Sequence, residues 1–168
     1  AFARELDDFI LHMRANEPEI STWVMRSSGN ADLVEASDKA LLDNADNWLV
    51  REITLFLKRA LKRLDVSSRS VVALVEPGSC FTGTLLELAL ISDRSYMLDG
   101  SFEGSNLPPP SVRMTSMNFG PYPMSNGLTR LETRLLGEVD KVTGAKATIG
   151  KDLEAADADD AGLVTFIP

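Results

Sequence analysis

The chain has 168 residues, and its 25 acidic against 17 basic side chains give a net charge of −8. Its length suits one compact domain, and its acidity excludes the basic surface that a nucleic-acid-binding protein needs. With one cysteine, Cys80, and one histidine, His12, it can form no intrachain disulfide and offers too few ligands for zinc, so we expect a cytoplasmic, metal-free protein.

The first half of the chain alternates helical and strand patterns. Residues 3–16 (ARELDDFILHMRAN) carry apolar side chains at helical spacing, and residues 20–28 (ISTWVMRSS) form a short β-rich run. A polar stretch follows, and the pattern then predicts a long helix over residues 47–64. One side of this helix carries four basic residues, which fit either a solvated face or a phosphate-binding patch: Lys58, Arg59, Lys62 and Arg63.

The second half continues this alternation. Residues 70–78 (SVVALVEPG) predict a strand buried on both faces, a helix opens at about Thr84, and residues 92–98 (SDRSYML) predict another strand. Three consecutive prolines make the stretch from Gly100 to Pro110 a surface loop. Further elements are a helix over about 126–136 and, within residues 152–168, a helix stopped by Gly162 and followed by a strand.

Alternating strands and helices favour an α/β fold with parallel strands and right-handed crossovers. Ligands in such folds bind where strand ends meet the beginnings of helices. Two glycine-containing turns fall at such places, SSGNAD at residues 27–32 and GSCFTGT at residues 78–84. Together the two turns could direct two backbone N–H groups at one ligand oxygen.

Three stretches, in the same order, resemble the crotonase (enoyl-CoA hydratase/isomerase) superfamily. Residues 70–97 are similar to the family's strand, glycine-rich turn and E-L-A-L helix, which closes on an aspartate, here Asp93. Residues 147–164 resemble its A-x-x-x-G-L-V segment. The stretch GPYPMSNGLTRL is similar to the family's G-x-x-P-G-x-G-G-x-x-R-L pattern at Gly120, Pro123, Gly127, Arg130 and Leu131. The resemblance implies a crotonase-like ββα spiral with parallel strands.

A more detailed resemblance covers essentially the whole chain. The stretches ARELDDFILHMR, WLVRE, RLDVSSRS, LVEPGSCFTGT and NFGPYPM are similar to the C-terminal half of the ring-opening lyases that act on oxidised benzoyl-CoA. In those enzymes two crotonase-like halves occur in tandem, and the first carries the intact catalytic signature. The resemblance therefore implies that residues 1–168 are one crotonase-like segment of a longer chain, without the family's first hairpin and closing helices.

The resemblance also implies a site for an acyl-CoA thioester, which is the substrate, with no further cofactor. The thioester oxygen would accept hydrogen bonds from the amides of Ala31 and of Thr84, which follows Gly83. Glu87 matches the first of the family's two acid–base carboxylates. The second falls on Ser116, which cannot take over the proton-transfer role of a carboxylate.

Three hypotheses about function therefore stay open. The chain is a supporting half of a lyase, aiding its fold, oligomer or CoA binding; or a non-catalytic acyl-CoA-binding or interaction module; or a hydratase-like enzyme that uses Glu87 alone. Glu87 is accordingly either a catalytic base or a structural carboxylate. We expect an acyl-CoA thioester as ligand, an oligomer or a second crotonase-like half as partner, and no contact with nucleic acid or a membrane.

Overall fold

A computed structural model describes residues 1–168. The seven α-helices are α1 (Phe2–Asn16), α2 (Ala31–Asp43), α3 (Trp48–Asp65), α4 (Leu86–Ile91), α5 (Arg130–Arg134), α6 (Val139–Lys146) and α7 (Ala155–Asp160). The six strands are β1 (Thr22–Met25), β2 (Ser70–Val75), β3 (Phe81–Thr82), β4 (Arg94–Met97), β5 (Val112–Arg113) and β6 (Asp152–Leu153). Two 3₁₀ turns span Gly83–Leu85 and Ser116–Phe119.

The larger sheet contains three parallel strands in the order β1, β2, β4. Val72 of β2 pairs with Val24 on one side and with Arg94 on the other, so β2 is the central strand. Its alternate side chains Val71, Ala73 and Val75 are fully buried. The predicted α/β fold with parallel strands is confirmed.

A smaller sheet lies beside the glycine-containing turn. Strand β3 pairs in parallel with β5, and β5 pairs antiparallel with β6. Each strand is two residues long, and β3 leads directly into the first 3₁₀ turn and α4. The small sheet therefore fixes the position of the chain where the sequence predicts a ligand site.

The two long helices of the first half begin at asparagine caps. The side-chain oxygen of Asn30 accepts hydrogen bonds from the amides of Asp32 and Leu33, and Asn47 caps α3 in the same way. Such caps satisfy amides that the helix itself leaves without partners. The apolar face of α3 packs into one continuous core that includes Leu57, Leu61 and Leu64. None of the helices is both long and apolar enough to span a membrane.

Several predicted elements differ from those observed. The polar stretch before α3 contains α2, which was not predicted. Its apolar stripe of half-buried residues is too narrow to give a clear helical period. The helix predicted over residues 126–136 is shorter and begins at Arg130, because Thr129 and Glu132 form a capping box there. The predicted last strand is reduced to one bridge between Phe166 and Tyr96. The stretch from Gly100 to Pro110 is a loop, as predicted.

Candidate functional site

Glu87 lies in the first turn of α4 with its side chain completely enclosed, and the residue is only 2% exposed. Its Oε2 accepts a hydrogen bond from Nη1 of Arg130 at 2.7 Å, and its Oε1 accepts one from Nδ2 of Asn118 at 2.7 Å. Burial raises the pKa of Glu87, and the Arg130 charge opposes that rise. Both carboxylate oxygens are therefore held by the protein itself.

Arg130 joins Glu87 to the end of α3. Its guanidinium makes a two-pronged contact with Asp65, at 2.9 and 2.8 Å, while Nη1 also donates to the carbonyl oxygen of Tyr122 at 3.0 Å. The side chains of Arg130, Asp65 and Glu87 are all almost inaccessible to solvent. Buried charges persist in proteins when they are paired and hydrogen-bonded in this manner. The three residues form a closed ionic network that ties α3, α4 and α5 together.

The Thr84 amide, the predicted second donor to a thioester oxygen, already has an acceptor. It donates to Oδ2 of Asp38 at 2.9 Å, and the Thr84 hydroxyl donates to Oδ1 of the same carboxylate at 2.5 Å. The Thr115 hydroxyl adds a third hydrogen bond, to Oδ2 at 2.7 Å. As folded, Asp38 therefore takes up the donor that the family resemblance assigns to a ligand.

Asp38 projects from the middle of α2 and is 2% exposed. Burial raises its pKa, although the hydrogen bonds from Thr84 and Thr115 act in the opposite direction. The network extends through Thr84 to the hydroxyl of Tyr122, which lies 3.2 Å from Oγ1 of Thr84. Burial also raises the pKa of Tyr122 above its usual value. No arginine or lysine forms an ion pair with Asp38, in contrast to Glu87.

Two cavities meet at Asp38. The first has a volume of about 430 Å³, and Asp38 and Thr84 lie among its lining residues. The second, of about 320 Å³, is lined by Asp38, Thr115 and Ser116. Glu87 lines neither cavity. The walls of the first cavity are mainly apolar: Phe2, Leu33, Val34, Leu41, Leu57 and Leu85.

The other predicted site residues lie around these cavities. Ala31 is the first residue of α2, where the helix offers its amide no acceptor, and its cap Asn30 lines the first cavity. Gly83 has a left-handed φ of +48°, and a Cβ there would overlap Oδ2 of Asp38. Ser116 is exposed on the wall of the second cavity.

The remaining candidates make ordinary contacts. Cys80 is buried and His12 is exposed, as the sequence indicates. In the basic group of α3, Arg63 pairs with Asp7, while the Arg59 guanidinium lies 4.9 Å from the centre of the Phe56 ring. No group of three or more His, Cys, Asp or Glu side chains is arranged to hold a metal ion.

Sequence reasoning missed Asp38, Asn118 and Thr115 as members of this site. For Asp38 a signal exists, because it follows Val34 by four residues and precedes Leu41 by three, which places an acid on the apolar stripe of α2. No comparable local pattern marks Thr115, which meets Asp38 across 77 positions of sequence.

The arrangement of helices and parallel strands is the crotonase fold. AtuE of Pseudomonas aeruginosa superimposes with a TM-score of 0.65 at 19% identity, covering 99% of this chain and 59% of its own. Enoyl-CoA hydratases from Bacillus halodurans and Bacillus anthracis give TM-scores of 0.63 and 0.62, at 17% and 19% identity. Both matches cover 99% of this chain, with 62% and 58% of the respective hydratases. No protein-family model matches the sequence.

The predicted resemblance to the ring-opening lyases is confirmed by a curated relative. The benzoyl-CoA-dihydrodiol lyase of Aromatoleum evansii is 50% identical over 166 residues, which cover 99% of this chain. The chain spans 29% of the length of that lyase. The similarity is therefore to one segment of a much longer enzyme.

Proposed function

We propose that this chain is a segment of an acyl-CoA lyase that opens an oxidised benzoyl-CoA ring, and that it is the supporting half of that enzyme. The identity of 50% to a lyase along 99% of the chain supports the assignment to such a parent. The proposed substrate is a CoA thioester, and the proposed partner is another crotonase-like half. We also propose that residues 1–168 form one crotonase-like domain.

The observation that carries the supporting role is the internal pairing of Glu87. A general base needs access to the proton that it removes, within hydrogen-bond reach or through one water. Glu87 is enclosed, its oxygens are held by Arg130 and Asn118, and it lines neither of the two cavities that meet at Asp38. Ser116 supplies no second carboxylate. These features favour a structural Glu87 and give the hypothesis of a hydratase working through Glu87 alone no support.

A second candidate function is binding of an acyl group without turnover. The first cavity favours it, because about 430 Å³ lies within the usual range for small-molecule sites and its walls are mainly apolar. An acyl group in this cavity would lie against Thr84, but Asp38 would compete with a thioester oxygen for the Thr84 amide.

Exposed apolar side chains support a protein partner. At the start of α3, Trp48 is 74% exposed and Leu49 is 51% exposed, and Val24 of β1 is 55% exposed. Strand β1 also forms one edge of the larger sheet. Large apolar side chains and a strand edge left open to water are typical of surfaces that another element covers. We propose that the other crotonase-like half covers them.

Binding and turnover measurements on the 168-residue chain separate these functions. Calorimetric titration with benzoyl-CoA detects binding, and release of free product from an oxidised benzoyl-CoA substrate detects turnover. The supporting role predicts no turnover, whereas turnover that disappears in Glu87→Gln would contradict it. Binding without turnover would favour the acyl-binding function. In that case Val34→Trp, which fills the first cavity, should abolish binding, while Glu52→Gln on an exposed position of α3 should not.

A further inference from the structure

The Asp38 carboxylate is held by three neutral hydrogen-bond donors and not by a cation, as a bound anion often is. A backbone N–H and two hydroxyls, from Thr84 and Thr115, converge on one carboxylate from two separate segments of chain. Thr84 and Thr115 are themselves buried. Neutral donors that converge in a buried place are a common means by which proteins hold an anion.

The groups around Asp38 do not supply the positive charge that usually accompanies a buried carboxylate. The negative charge of Glu35 disfavours the ionised form of Asp38. Tyr122, which contacts the Thr84 hydroxyl, carries a phenol and supplies no positive charge. Taking a carboxylate out of water without a cation is costly, and the three hydrogen bonds offset only part of that cost. The site is also open to small solutes after truncation of Asp38, because both cavities reach that side chain.

We propose that the Thr84 amide, the Thr84 hydroxyl and the Thr115 hydroxyl form a carboxylate-binding cradle whose resident ligand is the Asp38 side chain. The cradle is thereby closed to the oxygen of any external ligand. This inference goes beyond the proposed function, since it concerns an anion site and can be tested without acyl-CoA or a parent enzyme. The chemical class that the cradle accepts is a small monocarboxylate.

The test replaces the side-chain carboxylate with a free one. Asp38→Ala removes the carboxyl group and keeps the helix-forming methyl group, and formate has the size of the lost group. A ligand of three heavy atoms binds no tighter than about millimolar, so sodium formate is titrated upwards from that range. At ten times its dissociation constant, formate should raise the folding equilibrium constant of Asp38→Ala about tenfold. Denaturant unfolding measures this change.

Four controls separate the cradle from a general salt effect. Sodium chloride at equal ionic strength and pivalate, which is too bulky for the vacated space, should not stabilise Asp38→Ala in this way. The unaltered chain and Asp43→Ala, a change at an exposed site on the same helix, should not respond specifically to formate. A response of Asp38→Ala no larger than that of Asp43→Ala would overturn the proposal.

A second measurement holds even if Asp38→Ala does not fold. In amide NMR spectra, the Thr84 N–H of the unaltered chain should follow the titration of Asp38, and in Asp38→Asn this pH dependence should vanish. The amide side chain keeps an acceptor for Thr84 and Thr115, so Asp38→Asn should remain folded. A Thr84 amide that is insensitive to both pH and Asp38→Asn would overturn the proposal.

Discussion

Arg130 donates a hydrogen bond of 2.7 Å to Glu87 in a place where neither side chain reaches solvent. The Glu87 carboxylate thus has a fixed cation on one oxygen and Asn118 on the other. This relationship explains why an acid lies within an otherwise apolar helix. Glu87 joins α4 to Arg130, which in turn donates two hydrogen bonds to Asp65 at the end of α3. The protein itself thus holds the carboxylate at the position to which the resemblance assigns an acid–base residue.

Glu87→Gln should destabilise the fold by about 2–4 kcal/mol, because a buried donor loses its acceptor. Asn118 cannot turn to accommodate the new amide, since its Nδ2 also donates to Gly83 O and its Oδ1 accepts from the Thr115 amide. The glutamine Nε2 must therefore face Arg130. Denaturant unfolding measures the loss, and Glu52→Gln at an exposed position should change stability by less than about 0.5 kcal/mol. Equal effects of the two changes would contradict the ionic network.

Asp38 should make stability depend on pH in a specific direction. Its folded-state pKa is raised above the ordinary 3.8, so the stability that this group contributes is complete below the ordinary value and is lost as pH rises through the folded-state pKa. Asp38→Asn lacks this loss. The free energy of unfolding of the variant minus that of the unaltered chain should therefore increase with pH above about 4.

Unfolding curves of both chains at several pH values between 4 and 8 measure this difference. The pKa of Glu87 is also raised, but Glu87 is present in both chains and its contribution cancels. A difference that stays constant over this range, or that falls as pH rises, would show that burial does not dominate the environment of Asp38.

Gly83→Ala should be among the most damaging single-methyl changes. A Cβ at this position would overlap Oδ2 of Asp38 and approach Oγ1 of Thr115 at 2.7 Å, and the backbone also has a left-handed φ. Overpacking and the left-handed conformation together should cost about 2–5 kcal/mol in denaturant unfolding. The matched control is Gly104→Ala, where φ is +75° and no atom lies within 4 Å, so only the backbone cost of about 1–2 kcal/mol remains.

Deletion of Glu103–Pro108 should leave the fold nearly intact. Nearly all of this segment is exposed, no helix or strand passes through it, and its largest apolar side chain, Leu107, is 51% exposed. The expected loss is below about 1 kcal/mol. A loss of several kcal/mol in denaturant unfolding would show instead that the approach of Leu107 to Gly78 is an essential packing contact.

Local patterns in the sequence were sufficient for most of the framework. The apolar run of β2 is continuous, the apolar residues of α3 recur at helical spacing, and the turn after β2 carries glycines, so strand, turn and helix were predicted in place. The helix α2 escaped because its apolar stripe is narrow and is interrupted by Asp38 itself. A polar residue on a stripe lowers the periodic signal even where that residue is buried.

The partners of the site residues could not be predicted in the same way. Glu87 and Arg130 are 43 positions apart, and Asp38 and Thr84 are 46 apart. Such pairs depend on how α2, α4 and α5 pack, and no local spacing records that packing. The sequence match placed Arg130 in a family motif but left open which acid it would meet. The resemblance also assigned the Thr84 amide to a ligand, because nothing near Thr84 in sequence reveals the carboxylate that occupies it.

The most direct test of the supporting role is the turnover rate of the proposed parent lyase, compared with and without Glu87→Gln. The amide keeps the shape of the side chain but cannot take up a proton, and loss of a general base typically slows an enzyme about 10²–10⁴-fold. Circular dichroism and the free energy of unfolding establish that the variant is folded at the assay temperature. The structural role of Glu87 predicts a rate within about threefold of the unaltered enzyme for this folded variant. A folded variant slowed a hundredfold or more would contradict it and would place the catalytic centre in this half.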